Sequence, residues 1–410
     1  MSNLTLIATY RVVTPMFLGG ADPLQEAELR VPSFKGALRF WWRALMMWRG
    51  VREVQELHDH ENELFGCSDS KIGQSKVLLR IETVHWPEML KSGDILGEHG
   101  GKADITHKVV ADGVRYLGYG LMEAFDGQKT EGGRLIRSCI SAPSEFRLHV
   151  RFNPRATVED CRQVLGALKL LGLCGCLGSR ARRGFGSLTL TNLSGCDGSA
   201  WNPPCTISEW ESNLNETLGT RTAFAGMAAW TGFVPGQSKV LLVQEAGKMP
   251  LEILGRLGRD FVFFRSWGRN GRVLGKESEK RFLGDHDLMK TQTAQRRGHP
   301  KRIVFGLPHN YGKSPDQHVE PGDPLFDRRA SPLFFHIHQS SAMVPPIGVL
   351  LFLPSRFLPP EHDKISVGEH DVPLAHGGEG EFWKPVHDFL ERLRSGSGKE
   401  RFDEAHLIQL

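Results

Sequence analysis

The sequence is short of tyrosine, with four in 410 residues, and its seven cysteines are scattered without a single CxxC pair. An odd number of irregularly spaced thiols excludes a disulfide framework and fits a reducing compartment, so the expected location is cytoplasmic. Neither HExxH nor GxxxxGK[ST] occurs, which removes the usual signatures of zinc hydrolases and phosphate loops. The longest useful apolar run, from Ile347 to Leu353, is far too short to cross a bilayer. Met1 to Leu6 has neither the basic region nor the apolar core of a secretory signal. The expectation is a protein with no membrane contact and no cofactor.

What is present is ordinary for a globular chain: 40% hydrophobic and 24% charged residues, enough for two cores, with 46 glycines marking many special backbone positions. Net charge is only +4, too little to imply a polyanionic partner by itself. Its distribution says more. From Leu29 to Arg52 the chain carries Arg30, Lys35, Arg39, Arg43, Arg49 and Arg52 and no acid. From Arg162 to Cys196 it carries Arg162, Lys169, Arg180, Arg182 and Arg183, again with no acid. Two such windows in one half of a nearly neutral chain predict a localised anion-binding face.

Residues 5–13 read as a strand, and Pro32-Ser33 opens a helix over 34–48 with Ser33 as its N-cap. A strand pair is expected over 136–152, and Thr157-Val-Glu-Asp160 predicts a capping box starting a second helix. A loop bracketed by glycines, 178–186, then leads into a strand over 187–193. Strand, helix, strands, helix, strand is the order of a ferredoxin-like unit. The Gly/Ser/Asn/Pro-rich stretch 195–220 is the expected junction, giving domains 1–200 and 215–410. In the second half strands are expected at 239–244, 302–307, 332–338 and 347–353, with helices at 251–264 and 382–394 and an insertion at 308–327. The fold class is α+β, two ferredoxin-like (RRM-like) domains in tandem with irregular insertions.

On the first helix Lys35, Arg39 and Arg43 fall in one stripe at about 100° per residue, beside faces that are otherwise almost wholly apolar. Lys35 would sit with the free amides of the first turn, an arrangement suited to phosphate. In the loop, Arg180, Arg182 and Arg183 supply guanidinium forks, and Gly184 and Gly186 would let the backbone approach a ligand. The stripe and the loop are expected to line one groove. Arg183-Gly-Phe-Gly186 matches the opening of an RNP-one signature, but Ser187 and Leu190 stand where base-stacking aromatics belong.

The segment Thr14-Pro-Met-Phe-Leu-Gly-Gly-Ala-Asp22, continued by Glu28-Leu-Arg-Val-Pro-Ser-Phe-Lys-Gly-Ala-Leu-Arg-Phe-Trp-Trp-Arg43, resembles the opening of the Cmr-one family of the RAMP superfamily. The loop ending in Arg183-Gly-Phe-Gly186 is similar to the glycine-rich loop of that superfamily, and Arg328-Arg-Ala-Ser-Pro-Leu333 resembles a further Cmr-one segment. The resemblance implies a non-catalytic subunit of a type III-B CRISPR effector that contributes to antiviral defence. Its partners would be guide CRISPR RNA, target RNA and other Cmr subunits, and it would hold the 3′ region of the guide and the paired target. It carries RNA contact onto Lys35, Arg39, Arg43, Arg180, Arg182, Arg183, Gly184, Gly186, Arg328 and Arg329.

Other candidates read as structure. His336 and His338 would share a strand face but have no nearby ligand partners in sequence, and Cys174-Gly-Cys176 lacks a second pair. Asp285-His286-Asp287 reads as a solvated polar turn, and His58-Asp59, His362-Asp363, His370-Asp371 and His387-Asp388 read as surface residues. The rival function is a metal-independent endoribonuclease processing guide RNA. It needs a base near the 2′-OH, with His107, His149 and His299 among the options, though none lies in either basic motif.

Overall fold

The computed structural model describes residues 5–410 except 69–72, 87–88, 98–110, 124–132, 196–199, 268–270, 292–295, 297, 313, 324, 375–378 and 397–400. Its first half runs β1 (Thr5–Val12), α1 (Val31–Trp48), α2 (Val54–Phe65), β2 (Val77–His85), α3 (Asp112–Leu117), β3 (Ser144–Phe152), α4 (Val158–Cys174), β4 (Leu188–Ser194) and α5 (Ile207–Leu218). The second half opens with β5 (Lys239–Gln244) and α6 (Pro250–Arg265). A short hairpin, β6 (Arg272–Val273) and β7 (Lys276–Glu277), follows with α7 (Leu283–Lys290), β8 (His309–Asn310) and β9 (His318–Pro321). Then come β10 (Leu333–His338), β11 (Ile347–Phe352), β12 (Lys364–Val367), β13 (His370–Pro373), α8 (Glu379–Phe382), α9 (Lys384–Ser395) and β14 (Glu404–Gln409).

The architecture is mixed α/β with antiparallel sheets. The first sheet has the order β2-β3-β1-β4 and the second β10-β11-β5-β14, so each places its strands second-third-first-fourth along its half of the chain. Period-two patterning makes the first sheet one-sided. Leu6, Ala8, Tyr10 and Val12 of β1 and Phe146, Leu148 and Val150 of β3 are wholly buried, while Arg147 and Arg151 point outward. The predicted capping box is present, with Thr157 accepting from the Asp160 amide and Asp160 from the Thr157 amide. The two sheets share cores: one apolar cluster joins Tyr10, Phe34 and Leu168 to Phe334, Val349 and Leu351, and the other joins Phe17 and Phe185 to Phe261, Phe335 and Phe389.

Several expectations are corrected. Ser33 lies inside α1, whose N-cap is Arg30 without a side-chain bond. Only residues 144–152 of the expected strand pair form a strand. The expected linker contains α5, whose Trp210 is buried and donates from Nε1 to the Leu173 carbonyl at 3.2 Å. The apolar run 302–307 is a 3₁₀ turn over Lys301–Phe305, because Asp285 accepts from the amides of Lys301 and Arg302 at 2.8 and 2.9 Å. Asp285, within α7, is therefore a buried cap on that 3₁₀ turn and not part of a solvated one. Residues 308–327 supply β8 and β9 to a third sheet, ordered β13-β12-β9-β8. Among the described residues no helix is long and apolar enough to cross a membrane.

The join between the two main sheets positions the site. Edge strand β4 of one lies beside edge strand β10 of the other. Backbone pairing holds only at one end, where the Phe335 amide donates to the Arg182 carbonyl at 3.1 Å. Beyond it the strands diverge and hydroxyls fill the gap: the Ile337 amide donates to Ser187 Oγ at 3.0 Å and the Gln339 amide to Thr189 Oγ1 at 3.1 Å. Ser187 is fixed in turn by Thr14, whose Oγ1 accepts from the Ser187 amide at 2.9 Å and donates to the Gly184 carbonyl at 2.6 Å. A bare strand edge presents unpaired amides, and this serine–threonine ladder satisfies those of β10.

His336 and His338 are buried in the same join, 1% exposed each. Burial holds His336 well below the ordinary histidine range, with His338 adding to the effect, and pushes His338 down to about 4. Both are neutral in the fold, whereas an unfolded histidine titrates near ~6.5. Stability is thus complete above pH ~6.5 and falls as pH drops toward about 4, by up to ~1.4 kcal/mol per pH unit for each histidine. Urea unfolding across that range should show the slope, and His338→Gln should reduce it. Ser187→Ala should lower stability by about 1–3 kcal/mol by stranding the Ile337 amide; an unchanged urea midpoint would show that the ladder contributes nothing.

Candidate nucleic-acid interface

The basic stripe of α1 and the glycine-rich loop have different surroundings. α2 packs beside α1 and presents Glu61, whose side chain is 6% exposed. Arg39 Nε and Arg43 Nη1 both donate to Glu61 Oε1 at 2.5 Å. Lys35 Nζ donates to the Phe65 carbonyl at 2.6 Å, at the end of α2. Its proton affinity is lowered, first by burial and then by Arg39. The stripe is therefore largely a helix-to-helix clamp. It leaves each arginine side chain about a third exposed and one carboxylate shared between the two.

The expectation of a single groove lined by stripe and loop is corrected. The cavity between α1 and the loop, about 230 Å³, is lined by Ser33, Ala37, Phe40, Trp41, Ala181 and Arg182 among others. At about 100° per residue, Ser33, Ala37, Phe40 and Trp41 lie across the helix from Lys35 and Arg39. α1 thus stands between its own stripe and the loop.

The loop meets the second half of the chain instead. Arg182 Nη1 donates to the Ser331 carbonyl at 2.6 Å, and its guanidinium lies over the rings of Phe334 and Phe40, 4.5 and 5.6 Å from their centroids. Arg329 donates to Ser355 Oγ at 2.8 Å and lies over Phe357. Arg180, in a left-handed conformation (φ 59°), donates to the Tyr119 carbonyl at 2.8 Å and is exposed, and Arg328 is 78% exposed beside Asp327. Arg183 turns inward, donating to the Phe305 carbonyl at 3.3 Å. The structure therefore brings Arg180, Arg182 and Arg183 together with Arg328 and Arg329, 145 residues on from Arg183 in the case of Arg328.

Among the described residues no carboxylate pairs with Arg180, Arg182, Arg183 or Arg329; their partners are carbonyls, a hydroxyl and aromatic faces. Burial and then Arg329 lower Arg182 to about 10. Burial, Arg265, Arg180 and Arg182 lower Arg183 to about 9, with Tyr116 opposing. Burial alone takes Arg329 to about 10, and Arg180 is lowered by burial and Arg328 against an opposing Tyr119. All stay charged at neutral pH. The result is a cationic seam with aromatic walls, a combination that suits a phosphate backbone with unstacked bases.

Gly184 and Gly186 serve this seam differently from expectation. Both are buried with φ of 84° and 66°. A Cβ at Gly184 would lie 2.5 Å from Leu254 Cδ1, and one at Gly186 would lie 2.0 Å from the Leu177 carbonyl oxygen. They admit the second half of the chain and the preceding turn rather than a ligand.

A sequence profile of the RAMP superfamily matches residues 9–189, from β1 through the loop into β4. The CRISPR system Cmr subunit Cmr1-2 of Pyrococcus furiosus is 30% identical over 185 residues, 44% of this chain and 92% of the relative. The chain belongs to the Cmr1 family of the RAMP superfamily. The crystal structure of Cmr1 from Pyrococcus furiosus in its apo form aligns with a TM-score of 0.50 at 20% identity, over 94% of this chain and 96% of that one. A chain from the type III-B Cmr-beta complex bound to cognate target RNA aligns with a TM-score of 0.50 at 12% identity, over 88% and 97%. Both alignments extend the likeness to the second half, as a likeness of fold. Arg328 and Arg329 lie beyond the residues matched by the RAMP profile, yet they complete the seam begun by its glycine-rich loop.

Sequence reasoning missed Glu61, although the acidic run of α2 directly follows the acid-free window. It also missed Phe40 and Phe334 as the walls around Arg182. Of the histidines named for ribonuclease chemistry, His149 pairs with Glu82 Oε2 at 2.7 Å on β3, two strands from β4, and His299 Nδ1 lies 3.1 Å from the Pro300 carbonyl. His107 lies outside the described residues. Among the described residues no three potential metal ligands cluster.

Because Glu61 is the shared counter-charge of the stripe, Glu61→Gln should destabilise the fold by about 1–2 kcal/mol in urea unfolding. Reversing Arg39 and Arg43 to Glu should do at least as much, by crowding three carboxylates. A full-stability Arg39→Glu/Arg43→Glu variant would show that the clamp is dispensable.

Proposed function

We propose that this Cmr1-family protein is a non-catalytic RNA-holding subunit of a type III-B CRISPR effector. In this reading the arginine seam holds the backbone of the 3′ region of guide RNA and of the paired target RNA, while other Cmr subunits dock around it. The observation that carries it is the convergence of five arginines from two distant segments, with no carboxylate among the described residues pairing four of them. Uncompensated guanidinium groups under low dielectric favour a polyanion, and the partly exposed Phe40 beside Arg182 offers a surface for a base. The cognate target RNA in the Cmr-beta complex, a relative of the same fold, supports the choice of RNA.

Two ferredoxin-like units, spanning about residues 1–200 and 215–410, are part of the same reading. The repeated second-third-first-fourth strand order in both sheets supports them. Lys35, Arg39 and Arg43 join the RNA contacts through their exposed third only, as a secondary surface. Sequence preference is weak in this reading, since pairing with the guide reads sequence and the protein holds the backbone. No observation favours the endoribonuclease alternative.

Arg180→Glu with Arg328→Glu removes two exposed charges without disturbing the core. Gel shifts with labelled single-stranded RNA should show affinity reduced by roughly tenfold or more. The slope of log K against log salt should flatten by about 1.4, for two lost phosphate contacts. Thermal stability should be unchanged. Equal affinity and slope in the double variant would remove the seam as the binding surface, and cleavage of the labelled RNA with or without Mg²⁺ would favour the nuclease.

A further inference from the structure

Behind the exposed arginines, the inward-turned Arg183 of the seam meets two further cations, Arg265 and Arg302, that the RNA-holding reading does not use. The Arg183 and Arg265 guanidinium groups lie over the same ring, 5.1 and 5.5 Å from the Phe261 centroid. Arg265, at the end of α6, donates to Tyr116 of α3 at 3.2 Å and to His309 Nδ1 of β8 at 2.8 Å. Arg302 lies alongside, donating to the Arg265 carbonyl at 3.0 Å and to the Tyr311 hydroxyl at 3.2 Å.

Among the described residues three guanidinium groups have one carboxylate here. Asp285 pairs with Arg302 at 3.5 Å, and its oxygens already accept the Lys301 and Arg302 amides. His309 cannot offset the excess, because it accepts from Arg265 through Nδ1 and is held neutral by burial and the two neighbouring arginines. Arg183 Nη1 and Arg265 Nε are both buried and have no hydrogen-bond partner among the described residues. Leaving buried cationic donors unmade is costly, and an oxyanion between them would satisfy both and offset the like charges. Tyr116, Arg265 and His309 are half-buried, so the rim of the cluster meets solvent while the two donor atoms lie buried behind it.

We propose that Arg183 and Arg265, supported by Tyr116 and His309, form a distinct oxyanion site that takes one phosphate group. Given the RNA-holding function proposed above, on which the choice of phosphate rests, the group is an internal phosphodiester of the bound RNA or a terminal phosphomonoester. Elements from both halves of the chain build the site, so an occupied phosphate also ties the halves together.

Thermal unfolding of the full chain tests the site without RNA. Inorganic phosphate should raise Tm by about 2 °C or more over chloride at equal ionic strength. Arg265→Gln should lose that rise. Calorimetric titration of the wild-type protein with phosphate covers the case in which Arg265→Gln does not fold. Absence of phosphate-specific heat and of the Tm rise in the wild type overturns the site, as does a rise retained in folded Arg265→Gln. Short single-stranded RNAs ending in 3′-phosphate or 3′-hydroxyl distinguish the sources. A several-fold preference for the 3′-phosphate that Arg265→Gln abolishes assigns the terminal group. Equal affinities, both lowered by Arg265→Gln, assign the internal diester. Phosphate stabilisation without RNA binding would sink the RNA-holding reading and leave this site standing; RNA binding without phosphate stabilisation would do the reverse.

Discussion

Strand β4 lends its side chains, not its backbone, to the edge of β10. Ser187, at the entry to β4, and Thr189 within it are two residues apart and so face the same way; they take the amides of Ile337 in β10 and of Gln339 just past its end. Ordinary ladder pairing would have merged the two sheets into one. Hydroxyl bridging instead lets them splay apart after Phe335, with His336 and His338 filling the wedge. Because the glycine-rich loop ends where this contact begins, the contact also decides where the loop's arginines go. Thr14 locks the arrangement from the first strand's exit.

From that geometry follow two different electrostatic outcomes for two similar basic segments. The α1 stripe meets a buried carboxylate and becomes a clamp between helices. The loop meets carbonyls, aromatic faces and more arginine. At an effective dielectric of about 20, two unit charges about 4 Å apart interact by about 4 kcal/mol, so one carboxylate settles which cationic surface stays available. Among the described residues the seam has none on its inner arginines, which lie over aromatic rings instead.

The sequence carried more of the fold than of the site. Strands β1, β4, β5, β10 and β11 and helices α1, α4, α6 and α9 were legible, because their periodicity and the Thr157 capping box are local signals. The turn at Lys301–Phe305 was not, because a short apolar run reads equally as strand until a distant Asp285 claims its amides. Helix α5 was hidden in a stretch rich in turn-forming residues, and β14, with its weak alternation of burial, gave no clear pattern. Arg180, Arg182, Arg183, Arg328 and Arg329 were all legible as basic, glycine-flanked or family-like positions.

By itself, the sequence determined which segments carry charge, which faces of each helix and strand are apolar, and the membership in the Cmr1 family. Those properties depend on residues close together along the chain. The tertiary structure alone decided which charges meet: Glu61 reaching Arg39 and Arg43, Ser331 receiving Arg182, and Arg265 joining Arg183 around Phe261. A guanidinium's availability depends on whichever groups lie within a few ångströms, and such neighbours come from segments whose separation along the chain carries no trace of the contact.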